Sequence, residues 1–171
     1  MAEAEGRRIA LIGAINRDTI RTADGVETES YGGLLYSILS LAAIVDDQTA
    51  VNPVVNVGED MRGVVEKILT PVARVSLDGV DFVPEKNTHC YLDYDEVGNK
   101  QESLLGVVPK LTRERLEPYL DCDAICVNFI TGEELELETL RAVRKASQAT
   151  VFMDVHSLSL GTDDQQRRYL R

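Results

Sequence analysis

Residues 9–15, Ile-Ala-Leu-Ile-Gly-Ala-Ile, form an unbroken apolar run. The run is short and partly β-branched, so it reads as a strand buried on both faces, as in a parallel sheet. Residues 51–57, 124–130 and 150–155 have the same character, although Pro53 points the second of them toward a sheet edge. Helical patterns lie between these runs. Gly32-Gly33 opens residues 34–45, which are apolar nearly all round and predict a deeply buried helix. Met61, Val64, Val65, Ile68 and Leu69 make one apolar stripe at helical spacing, with Asp60 at the capping position. A short helix is expected over 112–120 and a longer one over 132–148. Thr131 and Glu134 have the spacing of a capping box for the longer helix. Its early acids (Glu133, Glu134, Glu136, Glu138) and late bases (Arg141, Arg144, Lys145) suit the helix dipole. The polar tail, 163–171, reads as the start of a further helix.

Two stretches break the alternation. Residues 18–30 are polar, with Ala23-Asp24-Gly25 as a turn, and predict a small hairpin. Val75, Leu77, Val80 and Phe82 suggest a short strand pair. Residues 89–94 and 101–108 flank a polar turn at 95–100 and predict a second hairpin. The two excursions, about 18–30 and 74–108, are expected to pair as a small sheet beside the core. What remains is an α/β domain in three layers, a parallel sheet with helices on both faces. At 171 residues the chain suits one domain and can bury a core without disulfides or metals.

Composition narrows the function. The hydrophobic share of 44% and charged share of 27% are those of a globular protein. A net charge of −11 repels phosphate backbones, so nucleic acid is not an expected partner. Cys90, Cys122 and Cys126 are too few and too scattered for a disulfide framework or a zinc set. They suit a reducing compartment, with Cys126 as a buried thiol. No apolar run approaches the ~18 residues of a membrane span, so a cytoplasmic protein without membrane contact is expected.

Ligands of open parallel sheets bind beyond the carboxyl ends of the strands. Those ends carry Asn16-Arg17-Asp18, Asn56-Val57-Gly58-Glu59-Asp60, Asn128, and Asp154-Val155-His156-Ser157. Asp60 reads as a helix cap or a ligand contact, Asp154 as a loop ligand or a binding group, and His156 as a loop residue or a base. Asn16 and Asp18 are two apart, which places both side chains on one face of an extended segment. An amide beside a carboxylate suits paired hydroxyls; a turn-forming pair is the other reading. Gly32-Gly33 permits close backbone approach ahead of a helix N-terminus. Neither a Gly-x-Gly-x-x-Gly turn nor a Gly-Lys-Ser/Thr loop follows the first strand.

Taken in order, these segments resemble the ribokinase-like (PfkB) family of carbohydrate kinases. Ile12-Gly13-Ala14-Ile15-Asn16-Arg17-Asp18 is similar to its opening strand, Tyr31-Gly32-Gly33 to its Gly-Gly signature, and Asn56 through Gly63 to its Val-Gly-x-Asp-x-x-Gly segment. Val151-Phe152-Met153-Asp154 resembles the strand that precedes its second half. The resemblance implies phosphate transfer from ATP with magnesium to a sugar or nucleoside hydroxyl. It implies substrate contacts at Asn16, Asp18, Gly32, Gly33 and Ser37, with Asn128 and Asp154 as further candidates and no metal ligand. It makes the two excursions a β lid, which in some relatives is also a homodimer interface. Leu34-Leu35-Tyr36-Ser37 departs from the Lys-Gly-Ala-Asn of ribokinases proper and removes a charged and an amide sugar contact. Phe129-Ile130 likewise stands where ribokinases offer a carboxylate. The family's carboxyl-terminal half, with an Asn-x-x-Glu magnesium-associated motif and the Gly-Ala-Gly-Asp motif of base and anion hole, is not matched. Residues 1–171 are therefore expected to be one incomplete domain, a substrate-binding portion inactive alone. The alternative expectation is a stand-alone binding or interaction module on the same fold.

Overall fold

The structure is a computed structural model that describes residues 6–171. In chain order the elements are β1 (Arg7–Ile12), β2 (Ile15–Arg21), β3 (Glu27–Gly33), α1 (Leu34–Ile44), β4 (Thr49–Gly58), α2 (Arg62–Leu69), β5 (Val80–Val83), β6 (His89–Tyr94) and β7 (Lys100–Gly106). They continue with α3 (Arg113–Leu116), β8 (Ala124–Asn128), α4 (Leu137–Ala146), β9 (Thr150–Asp154), β10 (Leu160–Thr162) and β11 (Arg168–Leu170).

A five-stranded sheet, ordered β5-β4-β1-β8-β9, is parallel throughout. Alternate residues of its strands feed two cores. Leu11, Val51, Val55 and Val57 face α1 and α2 and pack on Leu35, Ile38, Val65 and Leu69. Ala10, Ile12, Val54, Ile125 and Val127 face the opposite way, onto Leu116 of α3 and Val143 of α4. Pro53 sits inside β4, not at an edge. The N–H groups of Val51 and Val55 reach Arg74 and Gly79, and Pro53 lies between them where the neighbouring backbone makes no claim on an N–H.

The second sheet is ordered β3-β2-β6-β7. The β2–β3 and β6–β7 pairs are antiparallel hairpins, joined by parallel pairing of β2 with β6. One face of it is laid with surface pairs: Arg17 with Glu29, Arg21 with Asp93, and Tyr91 with Glu27.

Several expectations need correcting. The run 9–15 is not one strand. The chain leaves the core at Gly13, where a side chain would meet Leu34 Cδ1 at 2.9 Å and the Asn128 carbonyl at 3.0 Å, and by Ile15 it is already in the second sheet. Val80 to Val83 join the core sheet as its edge strand, and Val75 bridges to Val51, so the larger excursion enters the second sheet only at His89. The Glu134 carboxylate accepts the Thr131 hydroxyl and the Gly132 N–H, and Thr131 Oγ1 accepts the Glu133 N–H, but these bonds close a turn and the helix begins later, at Leu137. The tail forms the β10–β11 hairpin instead of a helix, with Asp163 accepting the Gln165 and Arg167 N–H groups at its turn. Helix α1 is buried on one side only; Ile44 is 80% exposed. Strand β9 is an exposed edge, with Phe152 59% exposed. No helix among the described residues is long and apolar enough to cross a membrane.

Candidate functional site

The sheet register brings Asn16, Asp18, Gly32 and Gly33 together. On β2, Asn16 lies opposite Gly32 of β3, and Asp18 lies between Ser30 of β3 and Cys90 of β6. Strand alternation turns Asn16 and Asp18 to one face and Arg17 to the other. Gly32 forms the floor between two side chains: a Cβ there would lie 2.8 Å from Asp18 Oδ2 and 3.0 Å from the Tyr36 ring. Tyr36, in the first turn of α1, is 63% exposed and leaves this cleft open. Asn16 is 7% exposed, and its Oδ1 is buried with no hydrogen-bond partner. A buried acceptor without a donor is costly unless something else supplies one.

Burial pushes the Asp18 carboxyl up to about 6, and the nearby charge of Glu102 pushes in the same direction. Cys90, beside Asp18, is pushed up to about 12, first by burial and then by the charges of Glu102 and Asp18, so it is a neutral thiol and a poor nucleophile. The Asp18 shift has a consequence for stability. In the unfolded chain Asp18 ionises near pH 4, but in the fold only near pH 6, so between these values the native state holds the extra proton. Stability from this group is therefore greatest below pH 4 and falls as pH rises through 6. Asp18→Asn is expected to stabilise the protein at pH 7 by about 1 kcal/mol, after allowing for solvent screening of a half-buried group. Urea titrations at pH 7 and below pH 4 check this, because the gain should vanish at the lower pH.

Asn87 ties this cluster to the core. Its Oδ1 accepts the Gly58 N–H at 3.0 Å, and its Nδ2 donates to the carbonyls of Ile15 at 2.9 Å and Thr88 at 3.0 Å. Its own N–H donates to Asp60 Oδ1 at 2.8 Å. Asp60 thus holds the Asn87 backbone and makes no side-chain cap to the following helix.

Ser37, Asn128 and Asp154 line an adjoining groove of about 450 Å³, with Leu11, Ile44 and Phe152. Asn128 Nδ2 donates to Ser37 Oγ at 2.8 Å, so part of each side chain is already engaged. Asp154 accepts the His156 N–H at 3.1 Å, and His156 turns back to Ser157 Oγ at 2.9 Å on an exposed bend. A smaller cavity of about 10 Å³, room for one water, touches Ala14, Asn56, Thr88 and Glu134.

Sequence reading did not single out Tyr36, Asn87 or Glu102. Glu102 alone carried a signal, since it shares the strand alternation of Leu104 along β7. The chemistry of ATP and magnesium needs more than these residues offer. Among the described residues no three His, Cys, Asp or Glu side chains gather to hold a metal, and Gly-Ala-Gly-Asp does not occur. Asn-x-x-Glu does occur by spacing, although the motif was not expected, at Asn56 with Glu59 and at Asn99 with Glu102. Neither makes a metal site: Asn56 Nδ2 binds the Pro109 carbonyl, Glu59 pairs with Arg62, Asn99 caps onto Asp95, and Glu102 pairs with Lys100.

No protein-family model and no curated protein matches the chain. Solved structures do match. One is a pyrophosphate-dependent kinase in the ribokinase family complexed with a pyrophosphate analog and myo-inositol, at 15% identity and TM-score 0.75, covering 95% of this chain and 54% of that one. A nucleoside kinase of Methanocaldococcus jannaschii, an archaeal member of the ribokinase family, matches at 14% identity and TM-score 0.67, covering 90% and 54%. Arabidopsis thaliana ribokinase complexed with ribose and ATP matches at 17% identity and TM-score 0.64, covering 88% and 53%. The chain therefore has a ribokinase-like fold, over a span equal to about half the length of these kinases.

Proposed function

We propose that Asn16, Asp18, Gly32 and Gly33 grip the hydroxyls of a sugar, cyclitol or nucleoside, and that this chain is the substrate-binding part of a PfkB-type kinase that phosphorylates such a hydroxyl. The observation that carries this reading is the unpaired, buried Oδ1 of Asn16 on the same strand face as the Asp18 carboxylate, above a glycine floor. A pair of vicinal hydroxyls supplies the missing donors. The Tyr36 ring at the cleft wall offers an apolar face to the carbon side of a sugar ring. ATP with magnesium as donor belongs to this proposal, and no step of the transfer is assigned to residues of this chain. Phosphoryl transfer rests on positioning and charge stabilisation, and the Gly-Ala-Gly-Asp sequence that the resemblance assigns to the base and anion hole does not occur in the chain. The 171 residues alone are therefore proposed to bind without transferring phosphate, in the cytoplasm.

The test is a thermal-shift screen of the purified chain with ribose, myo-inositol and adenosine. At a ligand concentration 100 times Kd, stabilisation of about 2.7 kcal/mol is expected. Asn16→Ala with Asp18→Ala should weaken the strongest hit by at least tenfold. An unchanged hit would place the site elsewhere, and ATP-dependent phosphorylation by the purified chain would overturn the proposed inactivity. The exposed apolar groove along α1 and β9 favours a second reading, a binding module that uses this surface. Under that reading no polyol shifts the melting temperature.

A further inference from the structure

The second sheet is joined to the core at one end. β2 starts where β3 ends, at Ile15 opposite Gly33, and β6 starts where β7 ends, at His89 opposite Gly106. Parallel pairing of β2 with β6 puts these four points at the same end of the sheet. The chain crosses to and from the core there, and the other end carries the hairpin turns at 22–26 and 95–99. The β10–β11 hairpin makes a separate tie. Its turn adds to the free edge of β7: the Leu104 N–H donates to the Gln166 carbonyl at 2.9 Å, and Ser103 bridges to Arg167. From the next residue, Arg168, the side chain runs inward and is 3% exposed. Its guanidinium donates to the carbonyls of Thr131 at 2.6 Å and Ser157 at 3.3 Å, in the segments that follow β8 and β9, and to Thr162 Oγ1 at 3.0 Å on β10. Its Nε is buried without an acceptor and lies 3.9 Å from Glu102 Oε1 of β7. Lys100 Nζ bonds the other oxygen of that carboxylate, at 3.2 Å. One side chain thus meets two segments of the core, its own hairpin and the rim of the second sheet.

We propose that the β10–β11 hairpin is a strap that holds the second sheet down on the parallel core, and that Arg168 is its latch. A sheet joined to its neighbour at one end can swing about the crossings, because a few residues at the ends of elements absorb such a motion. The strap catches β7, the edge strand, and so opposes that swing. The latch engages as a unit. A guanidinium presents its donors in a fixed fork, and withdrawing it would leave the buried carbonyls of Thr131 and Ser157 without a donor. Release would open the face that carries Asn16, Asp18 and Cys90, so the strap governs access to the cleft. This device does not depend on the proposed hydroxyl grip, and its test needs no ligand.

Two native thiols report on the strap. Cys90 is buried on the cleft face of the second sheet, beside Asp18, and Cys122 is buried in the core under α3 and α4. The purified chain is treated with N-ethylmaleimide, and each cysteine is followed by mass spectrometry of its peptide. Arg168→Ala should speed modification of Cys90 at least about tenfold and leave Cys122 within about twofold, because the second sheet opens while the core stays closed. Arg168→Lys keeps the charge without the fork and should fall between alanine and the unaltered chain. Asp163→Ala leaves every buried group of the latch paired. It removes the acceptor of the Gln165 and Arg167 N–H groups and so loosens the turn that presents Gln166 to Leu104. It should speed Cys90 about threefold, and the Leu104 amide should exchange faster in the same variant. Equal acceleration of Cys90 and Cys122 in Arg168→Ala would mean that Arg168 holds the whole fold, which overturns the latch. If Arg168→Ala does not fold, Asp163→Ala decides alone. An unchanged Cys90 rate in Asp163→Ala would overturn the strap.

Discussion

Gly33→Ala is expected to lower stability by about 4 kcal/mol and the melting temperature by about 10 °C, and to abolish polyol binding. Two causes add. Gly33 has φ 64° and ψ −129°, a backbone region that only glycine occupies without strain. A Cβ there would also collide with the Ala14 carbonyl and come within 3.1 Å of Ile130 Cγ2. The Ala14 carbonyl cannot simply retreat, because it accepts the Leu34 N–H that starts α1. The chain must then shift where β3 meets α1, and Gly32, Asp18 and Tyr36 shift with it. Gly63 provides the control. It lies in α2 with nothing within 4 Å of its Cβ position, so Gly63→Ala should stabilise by about 0.5–1 kcal/mol. Guanidinium unfolding of both variants, read by circular dichroism, tests the contrast. A cost at Gly33 below about 1 kcal/mol would show that the close approach at Ala14 is not maintained.

Those elements whose burial is set by their own strand or helix period were legible in the sequence. β1 and β4 are apolar runs buried on both faces, β8 is an apolar run buried on its α3–α4 face and half-buried on the other, and the stripe of α2 fixes the side it presents to the core. Where the pattern misled, a missing neighbour was responsible. α1 is apolar nearly all round, which predicts full burial, yet its Tyr36, Leu39 and Ile44 face outward. β9 is as apolar as a central strand but has a partner on one side only, at β8. On the α1 side, α1 and α2 cover β1, β4 and β5, while Phe152 at the end of the row Leu11–Cys126–Phe152 lies open. An apolar pattern reports what a residue tolerates; which faces find cover depends on the rest of the assembly. In solved structures about twice as long, this chain matches only about half of the length. The open α1–β9 face is the part of the present fold that sequence periodicity could not have described.

The candidate site divides along similar lines. Asn16 and Asp18 were readable because a spacing of two in an extended segment is a local property, and the observed β2 strand keeps it. Glu102 comes from another hairpin, 84 residues beyond Asp18, and reaches the same face only through β2–β6 pairing. Tyr36 was read as part of a buried helix, so its position over Gly32 was hidden by the same all-round apolarity that misplaced α1. Asp60 carried a capping signal in its local sequence, but a distant backbone N–H claims its carboxylate instead. Long-range register and competition for one acceptor leave no periodic trace.

That distant N–H belongs to Asn87, and its removal carries the second large effect. Asn87→Ala is expected to cost about 3 kcal/mol and to loosen the second sheet from the core. The side chain is 3% exposed and joins three segments at once: the end of β4 through Gly58, the start of β2 through Ile15, and the approach to β6 through Thr88. Alanine leaves the Gly58 N–H and the Ile15 carbonyl without partners. Each buried, unsatisfied group costs about 1–3 kcal/mol. Relaxation to admit water would recover part of this, but Gly58 is packed directly on the Asn87 backbone and leaves little room. Asn87→Asp serves as the discriminating variant. It keeps the acceptor for Gly58 but replaces the donor to Ile15 and Thr88 with a second oxygen, so it should be at least as damaging as alanine at pH 7 and should recover as the carboxyl is protonated at low pH. Hydrogen exchange locates the effect. Amides of β2 and β6 should exchange faster in Asn87→Ala, whereas those of β1 and β8, held by the parallel core on both sides, should slow or speed only with global stability. Uniform acceleration of all four strands would mean that Asn87 stabilises the whole fold and does not act as the local tie between its two sheets.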